Sequence, residues 1–167
     1  MNTILPIVGA VAMVLTQQTD TNMYKLIAGE RMATFSTSYK GTPFGSLTPF
    51  IMDKKGNPVL FLSDLAQHTE NITKNPRCSI MVHRIDKSDI FNSPRITLAG
   101  KAVKVSDKER DEIKKIYLKR HPEAEDFIDF GDFNFYRIEL DAIQYIGGFG
   151  DINWVDVADY RKDYPKK

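Results

Sequence analysis

A chain of 167 residues, 42% hydrophobic and 27% charged, is long enough for one domain with a real core and too short for two comfortable ones. Its 23 Lys and Arg stand against 22 Asp and Glu, a net charge of +1 with neutral His, so no global field points to a nucleic-acid partner. The single cysteine, Cys78, excludes an intramolecular disulfide and an all-cysteine metal site; placed after Asn75-Pro76 at the start of an apolar run, it reads as a buried, inert thiol.

The first apolar run, "ILPIVGAVAMVL" at 4–15, is shorter than the roughly 20 residues that a membrane-spanning helix needs. No Lys or Arg precedes it, as one would in a secretory signal. Residues 1–20 are therefore expected to pack on the domain or on a partner, with no stable membrane insertion and a cytoplasmic location. Secretion or membrane association through 4–15 is the alternative. The domain proper is expected over 21–162, followed by a polar tail at 163–167.

A helix is expected over about Asn22 to Glu30, capped by Thr21 or Asn22. "MATFSTSY" alternates apolar and small polar residues and predicts a strand from Met32 to Tyr39. After a turn at Lys40-Gly41-Thr42-Pro43, a second strand runs from Gly45 to Met52. "DKKGN" closes a hairpin into the third strand, "PVLFLS", which Pro58 can open.

A short polar helix follows, with Ser63 or Asp64 as its cap and Asn75-Pro76 as its end, and then strand four, "CSIMVHR". A polar loop leads to a long strand at 95–105, in which Gly100 marks a bulge or close approach. "SDKERDEIKKIYLKRH" is the clearest helix. Ser106 and Glu109 have the spacing of a capping box, and the narrow stripe Ile113, Ile116 and Tyr117 lays the helix on a surface. Pro122 stops it, "FNFYRIELDAIQYI" supplies one or two more strands, "GGFGD" is a turn, and "INWVDVADY" predicts a final short helix. With strands joined mainly by hairpins, the expected fold is mainly β, an antiparallel barrel with peripheral helices.

No dedicated metal site is expected, because His68, His83 and His121 have no neighbouring carboxylates at ligand spacing. "TPFGSLTPF" is more informative, since Gly45 and Ser46 admit another body close to the strand while Thr48, Phe44 and Phe50 offer a hydroxyl and apolar contact. On the short helix, His68 and Asn71 share one face with Gln67 and Thr69 beside them. That face is either solvated or a side-chain phosphate site in which a dianion would favour protonated His68. No catalytic residue is assigned.

Several segments in this order, "PFGSLTPF", "LSDLAQHTENI" followed by "NPR", "PRITLAGKAVKV", "YLKRHPEA", "FYRIEL" and "GGFG" before Trp154, resemble the pyridoxamine phosphate oxidase-like superfamily of FMN-binding split barrels. Within it the chain looks most like the barrel of the haem-utilisation branch. More distantly it is similar to the secreted cellular repressor glycoproteins.

The resemblance implies a six-stranded split barrel that forms a homodimer, with two equivalent sites at the interface. Gly45, Ser46, Leu47 and Thr48 would lie beside the flavin ring, and Leu62 and Ser63 would end the strand that reaches toward the ribityl chain. His68 and Gln67 stand where oxidases of the family place a lysine and an arginine for the cofactor phosphate, and Asn71 shares their helix face. The missing charge at Gln67, and at Ser46, which is often arginine in the oxidases, argues against pyridoxamine phosphate oxidation.

The function expected from all this is an FMN-binding, oxidoreductase-like protein acting on a small-molecule substrate. The alternative is a haem-binding or haem oxygenase-like protein, and a further one is a non-catalytic regulatory dimer. Haem-degrading relatives take their ligand from a C-terminal extension, and no His follows His121 here. An axial His within this sequence is therefore His68, His83 or His121, unless another residue type or a partner supplies the ligand.

Overall fold

The computed structural model describes residues 21–165. The apolar run at 4–15 and the last two residues lie outside them. A helix α1 at 21–29 precedes β1 (Met32–Tyr39), β2 (Thr42–Met52) and β3 (Pro58–Ser63). Then come α2 (Gln67–Lys74), β4 (Arg77–His83), β5 (Arg95–Lys104), α3 (Asp107–Arg120), β6 (Phe133–Gly148), β7 (Asp151–Val155) and α4 (Val157–Asp163). Every strand pairing is antiparallel, in the order β3-β2-β1-β4-β5-β6-β7, and β3 also pairs with β6. That last pairing closes β1 to β6 into a six-stranded barrel with β7 added at its rim.

Alternation in the sequence selects what fills the barrel. Ala33 and Phe35 on β1, Ile80 and Val82 on β4, and Ile96 and Leu98 on β5 all point inward and are 1% exposed or less. Each of these side chains larger than Ala33 contributes about 1.5–3 kcal/mol by leaving water. β3 is the exception, an unbroken apolar run because both of its faces are covered. Leu60 and Leu62 enter the barrel, while Val59 and Phe61 join Ile113, Tyr117 and Phe135 in a second core beneath α3. Phe61 packs against Phe135 and Phe133 with tilted rings, centroids 4.6 and 5.0 Å away. Phe133 and Phe135 thus serve this core, while Tyr136 packs against the barrel core and Phe130 is exposed.

Several local expectations are corrected. β2 begins at Thr42, because Lys40 and Gly41 both take positive φ (48° and 81°) and make a two-residue hairpin turn. Pro43 is tolerated because β3 joins β2 only at Phe50–Met52, leaving an open edge at Pro43. "DINWV" is a strand and not a helix. Its β-branched and aromatic residues pair with β6, Trp154 opposite Gln144, and α4 starts only after Asp156, whose carboxylate caps Ala158 and Asp159.

The cap of α2 is Ala66, not Ser63 or Asp64. Ser63 is drawn to Asp132, and the Asp64 carboxylate accepts both bonds of the Asn134 amide. The capping box of α3 does not close either: Ser106 Oγ donates to the Glu109 carboxylate, which Arg137 also holds. The Gly100 bulge is present, as a register shift between Ala99 and Gly100. Burial pushes the Cys78 thiol up to about 12, so the thiolate needed for reactivity is absent at neutral pH.

Candidate functional site

β2 presents two faces, and the expected site residues divide between them. Ser46 and Thr48 lie on the inward side with Phe50. Gly45 and Leu47 lie on the outward side, where Leu47 is 68% exposed. Helix α2 packs on β1 and brings His68 to Ser46, Nδ1 to Oγ at 3.2 Å, with the imidazole edge-on to Phe35. Fully buried Asn71 donates to Thr37 Oγ1 at 2.9 Å, and Gln67 Nε2 donates to Asn71 Oδ1 at 3.0 Å.

Ser46, Gln67, His68 and Asn71 therefore form one polar cluster, in which Asn71 ties α2 to β1. Its full burial also closes the Asn71-Ile72-Thr73 glycosylation sequence in the folded chain. Leu62 belongs to the barrel core, and Ser63 faces Asp132; neither joins the cluster. Thr48 is buried, and its hydroxyl has no hydrogen-bond partner among the described residues.

Burial lowers the His68 pKa below its ordinary value of 6.5, so the imidazole is neutral at neutral pH. Because the folded value is the lower one, the unfolded chain takes up the proton first on acidification. Stability carried by neutral His68 is complete above the ordinary value and falls as pH drops below it. The native chain should thus lose melting temperature between about pH 7 and pH 5 more steeply than His68→Gln does. Equal slopes would contradict this placement of His68.

His121 is structural. It is 2% exposed, its Nε2–H donates to the Phe50 carbonyl at 2.9 Å, and its Nδ1 lies 3.3 Å from Arg31 Nη2. Both ring nitrogens are engaged, which removes it from the possible haem ligands. His83, the last residue of β4, is partly exposed, and its imidazole has no hydrogen bond or ion pair among the described residues.

Two concavities among the described residues lie away from this cluster. A cleft of about 590 Å³ at the far end of β2 is lined by Lys54, Lys55, Asn57, Arg137, Glu139 and Arg161. Three of its cations are engaged within the chain, Arg137 by Asp53 and Glu109, Lys54 by Glu112, and Arg161 by the Asn57 amide oxygen. A shallow groove of about 350 Å³ lies on the outward sheet face along Ser36, Ser38, Ser79, Ala99 and Gly100. It adjoins Gly45, which pairs with Ser36.

The register extends this outward face across six strands, in the row Leu47, Thr34, Met81, Thr97, Gln144 and Trp154. These residues are half-buried or exposed, with Trp154 at 73%. The face as a whole went unrecognised in the sequence. The alternation of "CSIMVH" places Ser79, Met81 and His83 on one side, but which strands flank them is set by pairing at long range.

The family model described as CREG, beta-barrel matches residues 25–162. The chain belongs to the CREG β-barrel family. Its oxidase-like split-barrel fold is related to that of haem-utilisation proteins, as the sequence resemblance implied.

It is 44% identical over 117 residues to the chloroplastic non-canonical heme oxygenase HOZ of Arabidopsis thaliana, a match that covers 70% of this chain and 36% of the relative. The chain thus spans about a third of that protein's length. The heme binding protein from Mycobacterium smegmatis superposes with a TM-score of 0.80 at 27% identity, over 86% of this chain and 60% of that one. HutZ, the heme storage protein from Vibrio cholerae, has a TM-score of 0.68 at 22% identity over 77% and 95% of the two chains, a likeness of fold.

Proposed function

We propose that this CREG barrel is a haem-binding protein, with haem-handling chemistry of the oxygenase type as its enzymatic form. The observation that carries the reading is the 44% identity to the heme oxygenase HOZ across 70% of the chain. The outward sheet face supports it physically. A porphyrin wants an apolar wall, an axial ligand and cations for its two carboxylates, and the outward surface that includes Gly45, Leu47, Met81 and Trp154 is open and partly apolar. Among the described residues no cluster of three or more His, Cys, Asp or Glu could hold a bare metal ion. Haem makes no such demand, because the macrocycle supplies four nitrogens and the protein needs to add one ligand. Bound haem would supply the redox chemistry of its iron; the chain would supply binding and orientation.

The homodimer belongs to the same proposal. Two copies meeting through the outward face would enclose the ligand between them.

FMN is the second reading, and it uses the other side of β2. The uncapped start of α2 and the Ser46–His68 pair favour a phosphate there. Glu70 in the first turn and neutral His68 oppose it.

The test is the visible absorption spectrum of protein purified without added cofactor, then incubated separately with haemin and with FMN, alongside its mass by light scattering. A saturable Soret band at one haem per chain in a two-chain particle is expected. Flavin absorbance and fluorescence changes with no Soret band would transfer the function to the second reading, and no change with either ligand would overturn both.

A further inference from the structure

We propose that His83 is the axial haem ligand and that Arg95 anchors a haem carboxylate, both on the outward face of the sheet. This rests on the haem reading above and adds the residues that would hold the group.

The three histidines differ in what surrounds them. His121 is buried with both nitrogens engaged. His68 has Nδ1 on Ser46 and stands among Gln67, Glu70 and Asn71, a polar and partly acidic setting that offers a porphyrin no flat apolar wall. His83 lies at the outward side of β4, two residues beyond Met81, while its neighbour Val82 points into the core. Its imidazole has no hydrogen-bond or ion-pair partner among the described residues, so a ring nitrogen is available to a metal.

The register then supplies the rest of a haem site. Opposite His83 on β5 is Arg95, opposite Arg95 on β6 is Ile146, and opposite Ile146 on β7 is Ile152. At about 4.8 Å between strands, a ring centred over His83 has Arg95 roughly 5 Å and Ile146 roughly 10 Å from its axis, the second near its rim. Ile152, 61% exposed, and Trp154, 73%, are large apolar side chains on the strand beyond that rim.

Arg95 is half-buried. Its guanidinium makes one hydrogen bond, to the Ser93 carbonyl at 3.2 Å, and no ion pair among the described residues. An arginine held at its base with its charge uncompensated is suited to receive a carboxylate. The neighbouring acids of the 86–92 loop are turned into that loop: Asp86 accepts from Ser88, and Asp89 from Asn92. A ligating imidazole, an uncompensated guanidinium and an apolar wall thus fall on one row and its neighbour.

The experiment is titration of the full chain with haemin, read as the Soret band and the visible bands that report imidazole ligation. The native chain should bind saturably with an imidazole-ligated spectrum. His83→Ala should lose that spectrum and bind about tenfold more weakly or worse, since even the outer-shell partners of a metal ligand are worth that much. Free imidazole added to His83→Ala should restore the spectrum, which a general loss of structure would not allow. Arg95→Gln should keep the imidazole-ligated spectrum while weakening binding.

An unchanged spectrum in His83→Ala, or loss of imidazole ligation in His68→Ala with His83→Ala intact, would overturn the assignment and leave haem binding standing. Failure of the native chain to bind haemin, or binding that does not saturate, would overturn the haem reading itself.

Discussion

Arg137→Ala is expected to destabilise the barrel by about 3 kcal/mol, read as a lower urea midpoint with an unchanged slope. Arg137 reaches from β6 to Asp53, Nε to Oδ2 at 2.8 Å, and to Glu109 at 2.8 Å. Asp53 is 6% exposed, so its carboxylate cannot regain water when the guanidinium is removed. It keeps the backbone N–H groups of Lys55 and Asn57, each at 2.8 Å, which places the loss at the low end of the range for breaking a buried pair. Asp53→Asn in the Arg137→Ala background should recover part of the loss, because it removes the stranded charge. No recovery would mean that the cost comes from lost packing.

Gly100→Ala should cost at least the upper part of the roughly 1–3 kcal/mol that overpacking typically imposes, and the variant is expected to express poorly. A Cβ at this position would stand 2.0 Å from the Glu139 carbonyl oxygen and 2.7 Å from its carbon, both main-chain atoms of the paired strand. Neither can swing away without breaking the β5–β6 ladder at the bulge. Gly41 is the informative contrast. It has a φ of +81° and nothing within 4 Å, so alanine there meets only backbone strain of about 1 kcal/mol. Thermal melts of the two variants should therefore differ clearly, and similar values would show that the barrel yields at β5–β6.

Strands with period-two alternation were readable in the sequence because the barrel buries one face of each. β1 and β4 show this in Phe35 and Ile80. β3 was readable for the opposite reason, an unbroken apolar run being what a strand covered on both faces requires. The helix starts were harder. Asp64 and Glu109 have the residue type and spacing of caps, but Asn134, 70 positions away, and Arg137, 28 positions away, compete for their carboxylates. Local spacing cannot reveal a distant competitor.

The same limit governs the candidate site. His68 stood out because polar neighbours surround it, and its approach to Ser46 on the strand 22 residues earlier is now visible. His121 ends the clearest helix of the sequence, and its ring is a buried tie to the Phe50 carbonyl, 71 residues away. His83 has no motif around it at all. Its interest comes from Arg95, Ile146 and Ile152, which only strand register assembles.

If the outward face of this barrel takes haem, equilibrium titration of the full chain with haemin should give a saturable Soret change at one haem per chain. The imidazole-ligated spectrum should be lost in His83→Ala and restored by added imidazole. A native chain that leaves the haemin spectrum unchanged would contradict the haem reading.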